Sequence, residues 1–182
     1  RRLSELERNS FVFALFSQIV REKLIPSFAL NLNFDGRAQE FALCLHGSVK
    51  AFVDAVAPEA RDFAMGLNEN VEGFMRGLGA NLGDLCPVLH DFIIGVGDNI
   101  DCFVRGMDRN VVLFAQSLKP RLGFTYIMPF VHALGKNIEK FWISLGENQE
   151  TFLTNLGGGA SVFTSALEQY RRDRDAHILS HF

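Results

Sequence analysis

Five histidines, three cysteines and 21 carboxylates are the groups in this 182-residue chain with the chemistry to act on a substrate or hold an ion. His177 and His181 stand four apart, behind Asp173 and Asp175. On a helix that spacing puts both imidazoles on one face, a metal-binding pattern. The surrounding YRRDRDAH reads instead as a solvated tail, so no metal is expected. His46, His90 and His132 are scattered and read as helix-surface residues. Cys44, Cys86 and Cys102 are odd in number and lack metal-site spacing. Cys44 reads as a buried thiol in a slot for small residues. Either of the others could pair with it, leaving the third free. Glu147 and Glu150 share a polar face and read as solvation. The chain holds no nucleophile elbow, phosphate loop or Cys-x-x-Cys pair. GLGANLG (77–83) follows no strand, so its glycines do not read as a dinucleotide loop. Neither an enzyme nor a cofactor is expected.

The sequence is organised by a repeat. Phenylalanine recurs every eleven residues at Phe41, Phe52, Phe63 and Phe74, at Phe92, Phe103 and Phe114, and at Phe130, Phe141, Phe152 and Phe163. Eleven residues at 3.67 per turn lie close to the α-helical 3.6, and an odd period cannot keep one face of a strand. Position five is apolar throughout (Leu45, Val56, Leu67, Leu78, Val96) and position nine mostly so, which gives a wide amphipathic stripe. Position four is small or short (Cys44, Ala55, Gly66, Gly77, Gly95, Gly106, Ser117), and position eight is asparagine six times. That edge reads as close packing against another backbone, with a polar rim around a ligand cavity as the alternative. Glycine is also common at position six. Helical glycine costs about 1 kcal/mol relative to alanine, so the nine glycines at positions four and six imply roughly 8 kcal/mol. The helices should therefore be stable only with the phenylalanine stripe covered.

The elements that follow are helices over about 3–24, 38–56, 58–84, 87–118, 130–156 and 160–177. Ser4 and Glu7 form a capping box at the first. Pro26 should end that helix, leaving 27–37 as a weakly alternating stretch with a turn at Asp35-Gly36. Pro58 and Pro87 suit first turns of helices. Pro120 and Pro129 bracket an apolar connector, and Gly157-Gly158-Gly159 should break the last repeat. The prediction is an all-α fold, an antiparallel bundle of five or six amphipathic helices in a single domain over 1–182, with the repeat at about 41–171.

Composition narrows the function. The chain is 48% hydrophobic, with 18 Phe against two Tyr and one Trp, and carries a net charge of −3. No basic stripe interleaves with aromatics, which excludes nucleic acid as an expected partner. No apolar stretch long enough to cross a bilayer is free of charge, so no transmembrane segment is expected. The first residue is Arg1 rather than methionine, which fits loss of a signal peptide and a secreted protein.

The repeating units FMRGLGANLGD, FIIGVGDNIDC and FVHALGKNIEK resemble, as a pattern, those of exchangeable apolipoproteins, including insect apolipophorins, and of perilipins. The resemblance implies a non-enzymatic protein whose helix bundle binds lipid or another apolar ligand. Phe63, Phe74, Phe92, Phe103, Phe130, Phe141, Trp142 and Phe152 would be the contacts. The chain departs from those families in its abundance of Phe and Gly and its sparser Lys and Glu. The alternative is a structural protein that assembles with copies of itself, as fibre, foam or secreted layer, and a homo-oligomer is expected on that reading. A helical interaction module is a third reading.

Overall fold

The structure, a computed structural model, describes residues 2–119 and 125–182. Among these every regular element is helical and none is a strand, so the chain is all-α. Taken by continuity, the helical residues form four runs, 5–21, 25–31, 37–117 and 127–179, rather than five or six. The first helix, α1 (Glu5–Arg21), opens on the expected capping box: the Glu7 amide donates to Ser4 Oγ at 3.2 Å, and the Ser4 amide donates to the Glu7 carboxylate at 2.8 Å. Pro26 does not leave an irregular stretch behind it. It sits in the first turn of α2 (Ile25–Asn31), where its missing N–H leaves no helical bond unmade.

The two long runs are not straight rods. They are divided into short helices, mostly of eight residues, joined by three-residue 3-10 turns. The order is α3 (Arg37–Leu45), α4 (Val49–Val56), α5 (Ala60–Leu67), α6 (Val71–Leu78), a 3-10 segment (Gly79–Val88), α7 (Leu89–Val96), α8 (Ile100–Met107) and α9 (Val111–Ser117). After the connector come α10 (Ile127–Leu134), α11 (Ile138–Leu145), α12 (Gln149–Leu156) and α13 (Ala160–Leu179). Pro120 and the next four residues of the expected connector lie outside the described residues.

Position six makes these turns. Gly79, Gly97, Gly135, Gly146 and Gly157 have φ between +47° and +56°, and ψ lies near −120° to −128°. That conformation ends a helix and redirects the chain, and it suits glycine. His46, Asn68 and Asp108 hold the same place with φ of 42°, 53° and 47°, and these are among the few L-residue types that tolerate positive φ. The helical-glycine penalty expected for all nine is therefore misassigned: only the four at position four lie inside helices.

Because the chain turns after each unit, helices distant in sequence become neighbours. The packing runs in three columns: α1, α4, the 79–88 segment, α9 and α12; α2, α5, α7, α10 and α13; and α3, α6, α8 and α11. Each helix thus rests on the one three units earlier, as the unit headed by Phe74 rests on the unit headed by Phe41. Equivalent ends meet across these stacks. Asp98 and Lys136, both at position seven, pair at 3.5 Å, so the stacked helices run parallel. The result is a three-sided helical solenoid, in which consecutive helices do not pair as an antiparallel bundle would.

Stacking explains position four. A Cβ on Gly66, Gly77, Gly95 or Gly106 would come within 3.0 Å of the helix one turn earlier, against Ala29, Gln39, Arg61 and Glu72 respectively. Charged side chains then lace the outer wall of the third column and tie the long α13 of the second column to it. Arg105 of α8 pairs with Glu72 of α6 at 3.0 Å, Lys140 of α11 with Asp101 of α8 at 3.5 Å, and Arg171 of α13 with Glu139 of α11 at 2.9 Å. Such exposed pairs contribute little each and set register more than stability. Cys44 corrects the expectation of a buried thiol: it is exposed, and no disulfide joins Cys44, Cys86 and Cys102. Cys44 occupies position four of the first turn, which has no earlier turn to cover it.

Gly95→Ala should therefore destabilise, although alanine is the better helix former by about 1 kcal/mol. The expected net loss is about 1–3 kcal/mol from the forced separation of two turns. Gly158→Ala, with nothing within 4 Å of its Cβ, should be neutral or stabilising by about 0.4–1 kcal/mol. Urea denaturation of the two variants reads the difference.

Candidate functional site

The residues expected to touch a ligand occupy the centre of the solenoid. Phe63, Phe74, Phe92, Phe103, Phe130, Phe141 and Phe152 are each no more than 1% exposed. They form one line of rings with their neighbours along the chain. Phe63 meets Phe74 at 5.3 Å, Phe103 meets Phe114 at 5.5 Å, Phe114 meets Phe130 at 5.3 Å, and Phe130 meets Phe141 at 5.1 Å. Most of these contacts are edge-to-face, the geometry favoured by the ring quadrupole. Rings also stack between turns, as with Phe41 and Phe74 at 6.4 Å and Phe114 and Phe152 at 6.4 Å. Trp142 stands apart. It is half-buried on α11, 6.0 Å from the Phe163 ring, and its carbonyl accepts a hydrogen bond from Gln149 Nε2. None of these eight residues lines either of the two principal surface clefts.

The larger cleft, about 580 Å³, lies where the repeat loses phase. Leu85 is followed by Phe92 after seven residues, and the intervening rung is the 3-10 segment 79–88 rather than an α-helix. This rung packs loosely between α4 and α9 and leaves a hollow lined by Lys50, Asn81, Asp84, Cys86, Gln116 and Tyr126 among others. Burial pushes the half-buried Asp84 carboxyl above the ordinary aspartate range. Lys50 hydrogen-bonds Asp54 at 2.7 Å, which raises its own pKa. The Cys86 thiol donates to Ser117 Oγ at 3.0 Å, and that hydroxyl donates to the Phe114 carbonyl at 2.6 Å. These bonds fasten the irregular rung to α9. The shortened step between Leu85 and Phe92 was visible in the sequence; that it would open a polar hollow was not, because the rung's conformation is set by its neighbours. A second, shallower cleft of about 470 Å³ lies along Pro58–Asp62, Met65 and Asp91.

Among the described residues no group of three or more His, Cys, Asp or Glu side chains is placed to hold a metal. Two of the scattered histidines do meet: His90 on α7 and His132 on α10 are joined ring to ring at 3.0 Å. They lie two residues before Phe92 and two after Phe130. The same register brings Glu72, two before Phe74, to Arg105, two after Phe103. The signal was thus present in the repeat, but only the stacking of every third unit makes it legible.

No protein family matches the chain, and no curated protein or solved structure is similar to it. What the chain does is therefore to be read in the solenoid itself.

The raised Asp84 gives a pH-dependent expectation. An acid whose folded pKa exceeds its unfolded value adds stability below the ordinary aspartate range and loses it as pH rises through the raised value. Asp84→Asn, which removes the buried charge, should have a higher denaturation midpoint than the parent at pH 7. The two midpoints should converge as the pH falls below the ordinary aspartate range.

Proposed function

We propose that this chain is a non-enzymatic structural repeat protein that associates with copies of itself. The observation that supports this reading is the filled interior: the phenylalanine stripe is satisfied by the chain's own rings. A ligand cavity walled by those residues would require the solenoid to open. Apolar surface remains outside, and it is unevenly placed. Of the 17 large hydrophobic side chains exposed among the described residues, nine fall between Leu3 and Leu43, in the first turn. They include Phe11 at 60% and Leu30 at 57%. A solenoid's terminal repeat normally turns a polar face outward, so an apolar first turn favours a partner there.

A second reading, binding of lipid or another apolar molecule, draws on the same exposed side chains rather than on the buried stripe. The run Arg37–Ser117 contains an 18-residue window of mean hydropathy 1.2, 44% of it buried. It is folded into rungs about 12 Å long, against a hydrocarbon core of about 30 Å, so its apolar residues serve the interior in this fold.

Sedimentation equilibrium over a hundredfold range of concentration, with solvent extraction of the same sample, tests both. Mass that rises with concentration and an extract free of lipid are expected. A monomer at every concentration overturns self-association, and a stoichiometric lipid in the extract of that monomer favours the second reading.

A further inference from the structure

The contact between His90 and His132 has the geometry of half a metal site. His90 Nε2 and His132 Nδ1 are 3.0 Å apart, with the ring planes inclined by only 14°. Two nitrogens bound to one ion at about 2.0–2.1 Å are separated by roughly 2.9 Å in cis square or octahedral geometry and roughly 3.3 Å in tetrahedral geometry. The pair therefore stands at ligand spacing; the rings now face each other along the hydrogen bond, and each must turn about its side-chain bonds for both lone pairs to meet at one ion. The other ring nitrogen of His90 is already oriented. Asp91 Oδ1 lies 3.2 Å from His90 Nδ1, so that nitrogen carries the proton and Nε2 presents a lone pair. A carboxylate behind an imidazole is the usual outer partner of a metal-bound histidine.

We propose that His90 and His132 bind a divalent transition-metal ion as a clip between α7 and α10, with Asp91 orienting His90 and water completing the coordination. In the metal-free pair His132 Nδ1–H donates to His90 Nε2. The ion takes the place of that proton, which moves to His132 Nε2 on the exposed side of the ring, so no net proton is released. Two imidazoles select the borderline ions, in the order Cu²⁺ above Ni²⁺ and Zn²⁺. Mg²⁺ and Ca²⁺ prefer oxygen ligands and are excluded. The clip joins a turn before the 118–126 connector to a turn after it, so it exists only in the folded chain. Bound ion must then stabilise the fold: at an ion concentration one hundred times Kd, the unfolding constant falls roughly a hundredfold.

His177, in the last turn of α13, and His181, just past its end, form a second imidazole pair, 4.5 Å between ring centroids, off the stacked turns. The experiment removes it first. In a His177→Ala/His181→Ala background, Cu²⁺ and Zn²⁺ are titrated by calorimetry and by thermal denaturation, with Mg²⁺ as the control ion. One Cu²⁺ per chain and a higher unfolding midpoint are expected. His132→Ala and His90→Gln should each abolish both, while Asp91→Asn keeps the stoichiometry and weakens affinity about 10–100-fold. Both histidines reach the surface, and circular dichroism checks that each variant is folded. The proposal is overturned if the background protein binds no Cu²⁺, or if the midpoint still rises with Cu²⁺ in folded His132→Ala.

Discussion

The phenylalanine at the head of each unit is the constraint on which this structure depends. One large ring per eleven residues cannot be buried by a straight helix on its own. It can be buried if the chain turns after every unit and sends each ring to a common axis. Three helices to a turn enclose that axis, and the rings then meet rings before and after them and, in several cases, one turn away. Phe114, for example, contacts Phe103, Phe130 and Phe152. Full burial of a Phe side chain contributes roughly 1.5–3 kcal/mol. The ring line from Phe16 to Phe163 lies within one continuous core, which supplies the driving force for the remaining features.

Those features follow from keeping the rings close. Turns must stack tightly enough to exclude water from the axis, which leaves no room for a Cβ at position four of α5, α6, α7 and α8. Corners must be sharp, which places a positive-φ residue at position six of most units, the corner at Ala57-Pro58 being the exception. Both demands raise the number of glycines, yet the energetic sense is opposite. Gly95 costs helix propensity and gains contact, whereas Gly97 sits in a conformation where any side chain is strained.

The helical character, the apolar stripe and the close-packing role of the small residues were legible in the sequence. The corners were not. Eleven residues fit three turns of continuous helix as well as eight residues of helix and a three-residue turn, so the period alone cannot separate a rod from a solenoid. The deciding signal was at position six, where glycine alternates with His46, Asn68 and Asp108, and Ala57 stands before Pro58. Apart from glycine, His46, Asn68 and Asp108 share only a tolerance of positive φ. Read as helix interior they are merely poor choices; read as corners they are consistent. The same ambiguity hid the surface pairs. His90 and His132 are distant in sequence and become partners only when units are counted in threes.

The two ends of the solenoid differ, and the difference bears on how copies would meet. α13 does not turn after eight residues. It runs on for 20, and beyond Leu167 it carries Arg171, Arg172, Asp173, Arg174 and Asp175, of which Arg171 is tied back to Glu139. That charged extension follows the last repeat, and beyond it Ile178, Leu179 and Phe182 are exposed at the chain's end. At the other end α1, α2 and α3 leave Phe11, Leu15 and Leu24 uncovered, together with Cys44 in a slot that every later turn fills. Stacking the apolar end of one copy on the charged end of another would take the exposed charges of Arg172, Asp173, Arg174 and Asp175 out of water, which is costly. Apolar end on apolar end avoids that cost. A contact of this kind uses the same surface on both partners and closes on itself. If copies associate through their ends, the ends themselves therefore favour a two-fold pair over an open fibre.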